Sequence, residues 1–248
     1  MENPLHPFEL HPLVQLSLFG VDISLNKAVL MMWVVIALVS GLLLLAASSR
    51  RLVPTKLQSL AEIFVEFIRG MILDTIGKQG MRFFPFIARL LLFILFCNLV
   101  GLVPGSYTVT SQIVVTAAFA LFVYSMSLAV GFALHGVKFL GILVPAGTPT
   151  WMLPLMIPIE IVRQLARPLS LAVRLFANMT AGHTLLAVLF GMALSLPLLI
   201  GWLPFVVTVG INGLEVFIAF IQAYIFTILT CVYLGDAITL QGHAEHAH

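Results

Sequence analysis

Arg163-Gln-Leu-Ala-Arg167-Pro-Leu-Ser-Leu-Ala-Val-Arg174-Leu-Phe-Ala-Asn178-Met-Thr-Ala-Gly-His183 is the stretch that decides the fold. After Arg174 no formally charged residue appears until Glu215. An arginine at the edge of so long an apolar run belongs in a bilayer, where a guanidinium costs roughly 3 to 17 kcal/mol. It cannot shed its proton to escape that cost. It must therefore face a protein partner or a water-filled cavity, and it marks a functional place.

The rest of the composition agrees. The chain has 248 residues, 61% hydrophobic and 9% charged, against about 25% charged in a soluble domain. This excludes an ordinary soluble enzyme, and a net charge of +2 gives no basis for a nucleic-acid partner. Cys97 and Cys231 lie in apolar segments and read as small buried hydrophobes, not as a disulfide or metal pair. The N-terminus lacks the basic-then-apolar order of a signal peptide. No Gly-rich phosphate loop occurs, so neither a nucleotide site nor any cofactor or metal is expected. With no linker, low-complexity tract or internal repeat, residues 1–248 read as a single membrane domain.

The spans follow from charge-free runs. Residues 1–27 form an outer segment. Residues 28–49 carry no charge and are long enough to cross about 30 Å of hydrocarbon. Arg50, Arg51 and Lys56 follow, with Lys78 and Arg82 further on. A basic cluster in a short connection marks the cytoplasmic side, so the N-terminus is outside. Over 54–78, Leu57, Leu60, Phe64, Phe67, Ile68 and Met71 recur at helical spacing while Glu62, Glu66 and Arg69 share another face. That predicts an amphipathic helix, either on the inner membrane surface or packed on the protein's own cytoplasmic face. Residues 83–134 form two spans, split by the polar turn-forming stretch Pro104–Gln112. A Gly/Pro-rich connection covers 141–149. Residues 151–235 form a long helical hairpin, with Pro168 bending its first arm and Pro197, Gly201 and Pro204 making its turn. Its second arm runs from Phe205 to about Leu234. A helix from Trp151 to Leu196 would be about 69 Å long, so it is tilted, bent or partly outside the bilayer. The fold class is an all-α polytopic membrane protein with five crossings, one amphipathic inner-surface helix and a long tilted terminal hairpin. Residues 236–248 form an inner tail.

The hairpin arranges its polar residues in levels. His183 lies nine residues beyond Arg174, about 13.5 Å toward the outside. Glu215 lies seven residues before Gln222 on the returning arm, about 10.5 Å nearer the outside. Counted from the turn, His183 and Glu215 share one depth, and Arg174 and Gln222 share another. Glu160 is fourteen residues before Arg174, about 21 Å toward the inside. Asn178 at i+4 and Ser170 at i−4 extend the polar stripe through Arg174. Two proton-accessible pockets thus flank a permanent cation. Histidine and carboxylate are the side chains expected in a membrane proton relay. Arginine suits a barrier, because it stays charged, repels a proton and can pair with a carboxylate of another subunit.

The run Pro168-Leu-Ser-Leu-Ala-Val-Arg174-Leu-Phe-Ala-Asn178-Met-Thr-Ala-Gly-His183 resembles the signature of subunit a of the F-type ATP synthases. The last helix, from Glu215 through Gln222-Ala-Tyr-Ile-Phe-Thr-Ile-Leu-Thr-Cys-Val-Tyr233, and the segment Phe96-Cys-Asn98-Leu-Val-Gly-Leu-Val-Pro104 are similar to segments of the same family. The resemblance covers nearly the whole chain. It implies a stator whose hairpin presses on a rotating ring of c subunits, each with one ion-binding carboxylate. It implies the family's essential arginine at Arg174, the outer half-channel pair at His183 and Glu215, polar neighbours at Asn178 and Gln222, and an inner half-channel carboxylate at Glu160. In some relatives the acid and the histidine occupy exchanged positions. The implied partners are the c-ring, a peripheral-stalk subunit b or its equivalents, the soluble catalytic head and membrane lipid. The implied site is the bacterial inner membrane or, alternatively, the mitochondrial inner membrane, with the C-terminus inside.

Simpler readings weigh differently at each residue. Arg163 and Arg167, near the inner interface, read as snorkelling anchors. Glu160 could be an ion-pair partner of Arg163 at i+3. Asn178, Gln222 and Ser170 could join helix to helix, a contact worth about 0.6 kcal/mol. His243, His246 and His248 read as a solvated tail before a metal site. A secondary transporter would show repeats with broken helices in corresponding places, and this chain has one polar hairpin without a counterpart. A hydrolase has no support: His-Glu-x-x-His is missing and no serine pairs with His183.

Overall fold

A computed structural model describes residues 12–14, 17–18, 21–22, 25–48, 56–103, 109–144, 150–195 and 198–238. Six α-helices carry the architecture: α1 (Lys27–Ser48), α2 (Lys56–Thr75), α3 (Phe84–Gly101), α4 (Ile113–His135), α5 (Leu153–Ser195) and α6 (Leu198–Ile238). Five helical segments are long and apolar enough to cross a membrane. Short 3-10 segments precede α3, α4 and α5, and another, Gly136–Leu143, follows α4. The chain is an all-α polytopic membrane protein. The histidine tail and much of the 141–149 connection lie outside the described residues.

A short β ribbon precedes α1, where no strand was expected. Pro12–Val14 (β1) pairs antiparallel with Leu25–Asn26 (β4), and Ser17–Leu18 (β2) with Val21–Asp22 (β3). The signal was in the sequence: Val21, Ile23 and Leu25 alternate with Asp22, Ser24 and Asn26, a strand period too short to stand out beside the long apolar runs.

The turn of the hairpin also differs from expectation. α6 begins at Leu198 and runs through Pro204, leaving 196–197 between the two long helices. α5 likewise runs through Pro158 and Pro168. In water an interior proline costs a helix about 3 kcal/mol. In hydrocarbon, unpaired backbone groups cost more than a proline's strain, so the helix continues through it. The sequence reading applied the aqueous rule at 197–204.

Exposure shows what solvent the helices expect. α1 is apolar along nearly its whole length, and Trp33 and Leu44 are 66% and 71% exposed. A helix apolar all round has to be covered, as a membrane span is. α2 behaves differently in its two halves. Ile68, Met71, Ile72 and Ile76 are buried at i, i+3, i+4 and i+8, a single face. They pack toward the end of α6: Phe67 meets the Tyr224 ring at 5.9 Å, and Gly235 lies against Thr75 and Ile76. In its first half Leu60 and Ile63 stay exposed, and Glu62, Glu66 and Arg69 are exposed along the helix. The second half is therefore docked on the protein, and the first half offers apolar residues outward.

The chain divides into two compact units, each described by itself. The first comprises Met1–Ser49, Leu92–Thr116 and Arg174–Ala223; its buried residues include Val35, Ile94, Cys97, Leu175 and Ala219. The second comprises Arg50–Leu91, Ala117–Val173 and Tyr224–His248, with Ile72, Ile87, Val123, Leu171 and Phe226 buried. Cys97 and Cys231 are both buried free thiols.

Candidate functional site

Two of the polar side chains singled out in the sequence, Asn178 and Gln222, meet in the first unit through α5 and α6. Arg174 is exposed on α5 and makes no hydrogen bond or ion pair among the described residues. One turn further, the Asn178 side-chain amide donates to Gln222 Oε1 at 3.2 Å. Gln222 is only 3% exposed, and its own amide nitrogen has no partner among the described groups. Both amides are expected as polar neighbours of Arg174, and they bond to each other one turn along the helix.

A second meeting lies one more turn along. Glu215 is 8% exposed, and its carboxylate packs against Gly182, the residue before His183. A Cβ at position 182 would overlap Glu215 Oε1. The glycine thus makes room for the acid at the level of His183, which is half-buried. Neither Glu215 oxygen has a hydrogen-bond partner among the described groups.

Glu215 is not alone in this. Asn98 Oδ1 and Nδ2, Thr110 Oγ1, Thr180 Oγ1 and Gln222 Nε2 are also buried without partners. All these residues belong to the first unit. A buried polar group left unpaired costs about 1–3 kcal/mol, and proteins meet that cost with internal water. Among the described residues, such groups are found in this unit alone. Thr180 gives no signal in the sequence, because a threonine in an apolar helix usually bonds its own backbone, as Thr184 Oγ1 does to the Thr180 carbonyl at 2.8 Å; Thr110 lies in the polar stretch Pro104–Gln112, which reads as a turn. Asn98 was visible as a lone amide in an apolar run.

The second unit holds Glu160, Arg163 and Arg167. Glu160, 5% exposed, accepts from Arg163 Nη2 at 2.6 Å and from Gln164 Nε2 at 3.1 Å. The Arg163 side chain remains 57% exposed, so this arginine both pairs and snorkels. Arg167 departs from the anchor reading. Its Nη1 donates to Asp236 Oδ2 at 2.9 Å, and its guanidinium lies 5.7 Å from the centre of the Tyr233 ring. Tyr124 meets Tyr233 edge-on at 6.5 Å. Arg167 is therefore a clamp between α5 and the end of α6. The sequence reading missed it because Asp236 is 69 residues away, beyond any helical spacing rule. Ser170 is exposed and makes no hydrogen bond among the described residues.

These features define a polytopic helical membrane protein whose last two helices carry a polar, partly unsatisfied site at membrane depth. A family model described as ATP synthase A chain matches residues 29–235. The chain is 47% identical over 247 residues to ATP synthase subunit a of Rhizobium johnstonii, covering 97% of this chain and 99% of that protein. It is 45% identical over 240 residues to ATP synthase subunit a of Rhodospirillum rubrum, covering 97% and 100%. For the subunit a of Magnetococcus marinus the figures are 47% over 242 residues, 96% and 93%. The chain belongs to the ATP synthase subunit a family. These relatives are bacterial, and with the five apolar spans they make the chain a bacterial membrane protein.

Two outcomes test the geometry. Gly182→Ala forces Glu215 aside at a cost of about 1–3 kcal/mol and lowers ATP-driven acidification of membrane vesicles. Adding Glu215→Asp, one methylene shorter, restores part of it; full activity in Gly182→Ala alone would show that the packed position of Glu215 does not matter. Across Arg167→Gln, Asp236→Asn and the double variant, thermal retention of the assembled complex should show a coupling of about 0.5–3 kcal/mol, and additive losses would mean that the ion pair is not a clamp.

Proposed function

We propose that the chain is the proton-translocating stator subunit of an F-type ATP synthase, forming two offset half-channels against a rotating c-ring. It couples transmembrane proton flow to rotation and ATP synthesis, and is not itself catalytic: ATP forms in the soluble head. Its other neighbours are peripheral-stalk subunit b or its equivalents and membrane lipid. It lies in the bacterial inner membrane as one multi-pass domain, with the N-terminus outside and the C-terminus cytoplasmic, on the positive-inside argument.

The observation that carries this reading is a contrast among the arginines of α5. Arg163 has Glu160, and Arg167 has Asp236, at 2.6 and 2.9 Å. Arg174, deepest in the apolar run, is exposed and has no acidic partner among the described residues. A guanidinium at that depth requires a counter-charge. The anion it is built for comes from another chain, and a ring carboxylate fits.

In the synthesis direction a proton enters from outside near His183 and Glu215. The buried polar groups of Asn98, Thr110, Thr180 and Gln222 favour a hydrated path there. The proton passes to a ring carboxylate as that carboxylate leaves Arg174. After almost a full turn the carboxylate reaches the inner half-channel, near Glu160, and releases its proton. Arg174 favours the release by attracting the deprotonated site. Asn178, bonded to Gln222 on the turn after Arg174, holds the polar face of the hairpin in order, and Ser170 extends the polar stripe inward.

The test uses membranes carrying the intact complex. Arg174→Ala abolishes ATP-driven acidification while passive proton flux, after removal of the soluble head, is retained or raised; Arg174→Lys does not restore coupling, because a lysine can lose its proton in a low-dielectric site. Normal pumping in Arg174→Ala would end the proposal. Exchanging His183 and Glu215 preserves more pumping than either single change, and a double variant no better than the worse single one would separate the two residues.

A further inference from the structure

The second unit contains a half-open cleft unrelated to the polar site. Its volume is about 180 Å³, and its walls are Tyr124, Leu128 and Phe132 of α4, Phe139 of the following 3-10 segment, and Ile161 and Leu165 of α5. The Phe139 wall is firmly placed. Phe139 is 3% exposed, meets Phe132 edge-on at 5.0 Å and fills the space over Gly131, where a Cβ would overlap its ring. Gln164 also lines the cleft, but its amide is committed to Glu160 at 3.1 Å.

Such a cleft does not suit water, which needs two to four polar partners, and apolar cavities of about 150 Å³ stay dry and take up apolar molecules. From Tyr124 to Phe132 the α4 wall extends about 12 Å along the membrane-spanning direction, the shape of a slot for a chain. The charge beside the slot supplies the other half of the recognition. Lys138 stands directly before Phe139, is exposed, and has no ion-pair partner among the described residues. An apolar slot between α4 and α5, with an exposed cation one residue from its Phe139 wall, has the chemistry of an anionic lipid site.

We infer that this cleft, between α4, the Gly136–Leu143 segment and α5, holds one acyl chain of an anionic phospholipid whose phosphate rests on Lys138. The lipid belongs to the leaflet on the Lys138 side. It fills the space that the three walls leave open and so braces the segment between α4 and α5 without taking part in proton transfer.

The test is photolabelling of the intact complex in nanodiscs of phosphatidylcholine, with a trace of phosphatidylglycerol carrying a diazirine in its acyl chain, followed by peptide mapping. Adducts should concentrate on Phe132, Phe139 and Leu165, well above Leu44, a fully apolar and lipid-exposed control. Leu165→Trp and Leu128→Trp fill the cleft from two walls, and either should remove the excess labelling. Lys138→Glu should lower phosphatidylglycerol labelling about five-fold or more, the effect of losing one basic residue near an anionic surface, and leave labelling by a phosphatidylcholine probe unchanged. Labelling no higher than at Leu44, labelling that survives a filled cleft, or equal labelling by the two headgroups overturns the proposal. If a variant does not assemble, the comparison of the two probes on the unaltered protein decides alone.

Discussion

The rest of the hairpin depends on one constraint: a guanidinium in hydrocarbon must be paired. α5 carries three arginines along its length and meets the constraint in three ways. Arg163 bonds a carboxylate one turn away on its own helix. Arg167 reaches across to α6, and its ion pair ties α5 to the end of α6. Arg174 has neither arrangement among the described residues. The first two satisfy themselves and stiffen the protein. The third has no counter-charge among the described residues, and in the proposed mechanism the c-ring supplies one.

The same division separates the buried polar groups. In the second unit Glu160 takes two hydrogen bonds and Arg167 takes an ion pair and a ring face. In the first unit Glu215, Asn98, Thr110, Thr180 and Gln222 keep atoms without protein partners. Native proteins leave few such groups, and each one asks for a reason. Hydration is a reason that accounts for all five together, since a lone structural defect would not be expected to repeat through α3, α5 and α6 of one unit.

How much of this was legible in the sequence depended on the range of the rule needed. The spans were legible because twenty apolar residues are unmistakable over that length. The Asn178–Gln222 contact and the approach of Glu215 to the level of His183 were within reach of counting from a shared turn, which sets both amides near Arg174 and the acid near His183. The turn itself was misread, since Pro204 breaks helices in water and does not do so here. Arg167–Asp236 was out of reach, because pairing across 69 residues needs the rotation of both helices about their axes, which spacing alone does not supply. The unpartnered Thr110 and Thr180 were invisible for the same reason: whether a hydroxyl is satisfied is a property of packing.

Glu215 joins these lines. Its place against Gly182 is specified sterically, since any side chain at 182 would intrude on it. Its hydrogen bonding is left open. A carboxylate held by several donors is a fixed anion, because each bond to the charged form favours that form. A carboxylate placed by shape and not by donors keeps both protonation states within reach of water and of a neighbouring histidine. For the proton carrier that the proposed mechanism makes of Glu215, rigid position with uncommitted bonding is what is needed, and in this hairpin the absence of a side chain at Gly182 provides the first without removing the second.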